Sequence, residues 1–185
     1  MKKNSTRKKN IAFDKLPPAR KRVAIARDVI EQLDAKKYIA EEGSYVVPHN
    51  FGKKHLAGNR YFPESAKNKS LKEYFCDSKK KACQVCAKGS LFLSYVSKVN
   101  DFKVGQNMWL DDRDTDAYKK LSEVFSSPQL ELIEGVFENY QNRTNIDLNQ
   151  FYRQNDLNYF EDDYADKCLR VICKNIIKNR GTFKP

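Results

Sequence analysis

Histidine is nearly missing from this chain: His49 and His55 are the two among 185 residues, and both fall in one lysine-rich stretch. Imidazole is the commonest general acid or base, so although carboxylates are plentiful the sequence shows no framework for acid–base chemistry. Glycine is also scarce, at seven residues, and none of them form a phosphate-cradling loop, which excludes the P-loop and dinucleotide fingerprints. No nucleophile motif accompanies the histidines, and the expectation is a protein that is not an enzyme. Long apolar runs are lacking as well. Without a stretch of about 18 apolar residues, or an apolar segment after the charged start, the chain reads as having neither a membrane span nor a secretory signal. It is expected to be cytoplasmic and to make no membrane contact. Five cysteines, an odd number without a signal, then argue for reduced thiols or metal ligands over a disulfide framework.

What is present is charge, unevenly placed. The net charge is +11, composed of +13 over residues 1–90 and −2 over 91–185. Up to Arg27 the cations Lys2, Lys3, Arg7, Lys8, Lys9, Lys15, Arg20, Lys21, Arg22 and Arg27 meet a single acid, Asp14. A polarised charge distribution sets up a field that draws anions to one face. Residues 1–16, rich in Lys, Asn and Ser with little to bury, read as a disordered basic arm. Residues 17–185 read as a single small domain.

The fold class expected for that domain is mainly α, with about four or five helices and one short β-hairpin. Val23, Ala26, Ile30 and Leu33 recur at helical spacing between Ala19 and about Lys37. Its opening turn carries Arg20, Lys21 and Arg22, where a helix normally favours acids. Tyr38–Ala40 and Ser44–Val47, around a turn with Gly43, read as the hairpin. A helix over roughly Cys83 to Asn100 fits Leu91, Phe92, Tyr95 and Val96; a shorter one follows Asp114 and Asp116. Ser127, followed by Pro128, caps the next, an amphipathic helix with Leu130, Ile133, Val136, Phe137 and Tyr140 on one side. The last helix, from about Asp162 to Lys178, has acids first, bases last and Gly181 beyond.

Two clusters carry possible binding chemistry. Cys76, Cys83 and Cys86 have the one metal-like spacing, since a two-residue gap lets both thiolates of a knuckle reach one zinc, and His55 is the candidate fourth ligand. The competing reading places Cys83 and Cys86 one turn apart on a core helix as small hydrophobes. The second cluster interleaves bases and aromatics: Lys53, Lys54 and Arg60 lie between Phe51 and Tyr61, with Lys79, Lys80 and Lys81 downstream. Cations meet phosphate while aromatic faces stack bases, which suits single strands or nucleotides better than duplex. The candidate anion-binding set is therefore Lys8, Lys9, Arg20, Lys21, Arg22, Lys53, Lys54, Arg60 and Lys79 to Lys81, with Phe51 and Tyr61 for stacking.

The run Cys83-Gln84-Val85-Cys86-Ala87-Lys88-Gly89 and the closing Leu169-Arg170-Val171-Ile172, Asn175-Ile176-Ile177 and Gly181-Thr182-Phe183 are similar to segments of small uncharacterised phage and prophage accessory proteins. That resemblance implies a non-enzymatic binder of nucleic acid, a nucleotide or a host protein. The first expectation is an anion binder acting through the basic amino-terminal half. The alternative is a protein-binding inhibitor or adaptor, serving anti-defence or host takeover, whose acidic 101–166 segment docks on a basic host or phage protein.

Overall fold

A computed structural model describes residues 12–48, 68–76, 82–104, 106, 110–139 and 148–185, with the side chains of Pro48, Phe75 and Cys76 outside that set. The architecture is mainly helical. Its elements run α1 (Pro18–Asp34), β1 (Tyr38–Ala40), β2 (Val47–Pro48), α2 (Leu71–Cys76), β3 (Cys83–Val85), α3 (Ala87–Val99), α4 (Asp116–Ser122), α5 (Ser127–Phe137), α6 (Asn149–Gln154) and α7 (Tyr164–Lys178).

The core is built around α3, in which every residue from Ala87 to Val96 is buried. A helix enclosed on all sides needs apolar or small residues all round, and Leu91, Phe92, Leu93, Tyr95 and Val96 supply the bulk. It packs on α1, α2, α4 and α5. Its small polar residues are satisfied locally: Ser90 donates to the Ala87 carbonyl at 2.8 Å, and Ser94 pairs with the Tyr38 hydroxyl at 3.3 Å. The other large contact joins α1 to α7. Arg170, early in α7, meets Asp34 at the end of α1, while Gly181 beyond α7 abuts Ala19 at the start of α1, so the two helices run antiparallel.

Five helices expected from periodicity are present with shifted ends. Ser126, not Ser127, is the N-cap residue of α5, and Pro128 lies within its first turn. The helices α2 and α6, six residues each, are too short to show a period. The expected helix from Cys83 is corrected: its first three residues are β3, and Cys86 is the extended N-cap of α3.

The expected hairpin is also corrected. β1 and β2 do not pair with each other; both flank β3, in the order β1-β3-β2. β1 runs parallel to it, with Tyr38 opposite Cys83, and β2 antiparallel, with Val47 opposite Gln84. The intervening turn is tied to distant chain instead: Glu41 donates its N–H to the Val85 carbonyl at 3.0 Å, and the Cys86 N–H to the Ser44 carbonyl. A third strand with two buried side chains, Cys83 and Val85, out-competes local closure because it covers apolar area that a two-stranded hairpin leaves wet.

Residues 1–11 lie outside the described residues, but Phe13–Lys15 form a 3-10 turn, and the Phe13 ring packs 6.1 Å from that of Tyr95.

Candidate anion-binding face

The first turn of α1 carries its cations without local compensation: the N-cap is Pro17, no side chain caps the helix, and no acid lies in the turn. The structure separates the three adjacent bases. Arg20 is exposed. Lys21 is half-buried, its ammonium 5.9 Å from the Phe13 ring centre, a cation–π distance. Arg22 turns inward, donating from Nε to the Gly181 carbonyl at 2.5 Å and from Nη1 to the Val124 carbonyl at 2.7 Å. Burial lowers its pKa, but a guanidinium remains charged. Arg22 is therefore a structural clamp, set apart by that geometry from the exposed Arg20 with which it is grouped in the anion-binding set.

What the clamp holds was not anticipated. Gly181 has a φ of 100°, and a Cβ there would approach the Ala19 carbonyl oxygen to 2.3 Å; only glycine permits both the left-handed turn and the close approach. The tail after it folds back: Asn175 donates to the Lys184 carbonyl at 2.6 Å and accepts the Lys184 N–H at 2.9 Å. The carboxyl-terminal bases are thereby brought to the basic start of α1. Residues 167–185 contain six cations and no acid.

Which of these share a face follows from helical geometry. In α1 the buried positions are Ile25, Ala26, Val29 and Leu33, and Arg20 and Arg27 are exposed seven residues apart, on one stripe. In α7, Lys174 and Lys178 are exposed one turn apart, opposite the buried Leu169, Ile172 and Ile176. Antiparallel pairing sets Arg27 level with Lys174 and Arg20 level with Arg180. The outer face of the α1–α7 pair thus presents Arg20, Arg27, Lys174 and Lys178, with Glu31 one turn beyond Arg27 and the exposed Arg180 just past the end of α7; none of these cations forms an ion pair among the described residues. Arg170 is the exception, bound to Asp34 and Asp166.

Lys8, Lys9, Lys53, Lys54, Arg60, Lys79, Lys80, Lys81, Phe51, Tyr61 and His55 lie outside the described residues, as does the Cys76 side chain. The cysteines that are described sit in the core. The Cys83 thiol is pushed up by burial, and Cys86 is pushed up to about 12 by the same cause. Cys86 Sγ accepts the Gly89 N–H at 3.4 Å, as the cap of α3. Among the described residues no group of three potential metal ligands comes together.

A second ionic cluster lies inside. Lys88, 3% exposed, donates to the Leu110 carbonyl at 3.3 Å and pairs with Glu134 at 2.5 Å and Asp111 at 3.4 Å. Burial raises the Glu134 carboxyl despite this partner. Glu138 accepts the Gly43 N–H at 3.1 Å on each oxygen and is raised to about 6, mainly by burial. These contacts tie α3 and α5 to the β1–β2 turn. The three ammonium protons of Lys88 already meet three acceptors, so the cluster acts as an internal bracket.

No protein-family model, curated protein or solved structure matches the chain. No helix among the described residues is long and apolar enough to cross a membrane.

Proposed function

We propose that this protein is a non-enzymatic binder of a phosphate-bearing anion, nucleic acid or a nucleotide, and that the outer face of the α1–α7 pair is part of its contact surface. The observation that carries this reading is the convergence of cations from both ends of the chain. Arg20 and Arg27 lie beside Lys174, Lys178 and Arg180 because Gly181 and the Arg22 clamp dock the chain end on α1. Cations set side by side at the opening of α1 repel one another and oppose its dipole. A phosphate chain offsets both costs. Preference for single strands rests on Phe51 and Tyr61, whose stacking adds to what the described cations supply.

The test is binding of short single-stranded and duplex oligonucleotides, measured by fluorescence anisotropy across a salt series. In the variant Arg20→Gln/Lys174→Gln/Lys178→Gln, affinity falls and the slope of log K against log salt flattens by about 0.7 to 0.9 for each phosphate contact removed. Unchanged affinity and slope in that variant would mean that the face is solvated decoration.

A further inference from the structure

The other end of α7 has the opposite character. The turn between α6 and α7, residues 155–163, holds four acids and no base. Within it, Tyr159 and Phe160 are the exposed large apolar side chains among the described residues, at 42% and 91%. Their rings meet edge to face at 5.9 Å, and Tyr159 meets Tyr164 likewise at 5.1 Å. Together with Tyr152, Arg153 and Asp156 they line a cavity of about 480 Å³. The Tyr152 and Tyr164 hydroxyls turn inward, both donating to the Val136 carbonyl, at 2.9 and 3.0 Å. Tyrosine and phenylalanine rings thus share the cavity wall with Asn139, Asn149 and Asn158, and Asp156 is the carboxylate that lines it. Glu161 and Asp163 are paired with Lys167, while Asp156 and Asp162 are exposed without an ion pair among the described residues.

From this we infer a second binding site, for a basic protein segment: an arginine or lysine side chain enters the cavity against the tyrosine rings, and Phe160 seats on the partner. Three arguments converge on that occupant. Aromatic faces attract desolvated cations. The turn beside the cavity brings four acids against the neighbouring Arg153 and Lys167, a net negative charge that repels the phosphate-bearing ligands that suit the far face and favours a cation. An almost fully exposed Phe160 beside the partly exposed Tyr159, at the mouth of a concave site, is the composition of an interface anchor, since burial of such rings in a partner's surface dominates binding energetics. Ten residues of α7, from Tyr164 to Lys174, separate this cup from the near edge of the basic face, about 15 Å at helical rise. Both ends are free to engage at once, and the chain then joins a basic protein to a polyanion.

The experiment uses the full chain, isotope-labelled for NMR, with three probes: an alternating arginine–alanine peptide, its glutamate–alanine counterpart, and adenosine monophosphate. The arginine peptide is expected to shift the amide signals of residues 152–164, with neither other probe doing so. Phe160→Ala should weaken its affinity by about tenfold or more, and Asp156→Asn/Asp162→Asn by a smaller factor. Both variants should melt at the parent temperature, because these side chains are exposed. Arg20→Gln/Lys174→Gln/Lys178→Gln should bind the peptide as the parent does, which keeps this outcome separate from that of the anion-binding test. Peptide shifts that fall elsewhere, a Phe160→Ala variant that binds equally well, or the mononucleotide entering the cavity would each overturn the assignment.

Discussion

The Tyr45 carbonyl oxygen rests against Gly89 so closely that a Cβ on residue 89 would lie 1.4 Å from it. Gly89 is on the first turn of α3, and Tyr45 belongs to the connection between β1 and β2. The contact lets that connection lie flat on the central helix, next to the Ser44 carbonyl that accepts the Cys86 N–H. Gly89→Ala is therefore expected to cost about 2–4 kcal/mol, since backbone rather than a flexible side chain must move. Gly43→Ala, with a φ of 69° and open space around it, should cost about 1 kcal/mol. Urea unfolding of the two variants decides the matter; equal losses would show that the close approach relaxes freely.

Arg22 and Arg20 should behave differently although they are two residues apart. Arg22→Gln loses two charge-assisted bonds to buried carbonyls and should destabilise by about 2–3 kcal/mol. Arg20→Gln should change stability by less than about 0.5 kcal/mol. Thermal melts of both variants test the division between clamp and contact surface, and a harmless Arg22→Gln would sink it.

Removing Lys88 leaves Glu134 without its partner in a largely enclosed site. Lys88→Met should cost about 3–5 kcal/mol, and adding Glu134→Met should return part of that loss. A double-mutant cycle by denaturant unfolding measures the coupling. Strict additivity would contradict the bracket.

Glu138 gives a pH dependence with a definite sign. Its carboxyl is raised from 4.5 to about 6 in the folded chain, so below pH 4.5 it imposes no penalty. As pH rises from 4.5 to about 6 the unfolded chain ionises first, and stability falls. Allowing for partial solvent exposure, the loss is about 1 kcal/mol. Glu138→Gln retains an oxygen for the Gly43 N–H and abolishes this component. The stability difference between the Gln variant and the parent should therefore grow over that window and stay constant above it. Parallel profiles across pH 4.5 to 6 would refute the assignment.

Elements with a sustained period were legible from residues alone. The apolar stripe of α7, with acids before it, a basic last turn and Gly181 beyond, satisfied several local rules together. α1 was legible for the same reason. Six-residue α2 and α6 hold fewer than two turns, so no stripe distinguishes them from loop. The three-residue β3 was absorbed into a helix because Cys83 and Cys86 lie at the i, i+3 spacing of a helix and three residues are too few to show the alternation of a strand. On the basic face, Arg20 was anticipated and Lys174, Lys178 and Arg180 were not. Averaging charge over residues 91–185 hid six terminal cations behind the acids of 101–166. A shorter window would have exposed them. The aromatic pair Tyr159 and Phe160 carried no signal, because exposure is not a property of composition.

The sequence by itself determined the helical class, the cation-rich amino end and the scarcity of histidine, since these depend on residue type and on spacings within one or two turns. Tertiary structure alone decided that β1 and β2 close on β3 and not on each other, that Arg22 turns inward, and that the exposed cations of α1 and α7 lie on paired helices. The physical reason is common to all three. Each outcome is set by burial of apolar area and by satisfaction of backbone groups from chain far away in sequence: the Val85 carbonyl for Glu41, the Gly181 and Val124 carbonyls for Arg22, and the Ala19 backbone that leaves room only for glycine at 181.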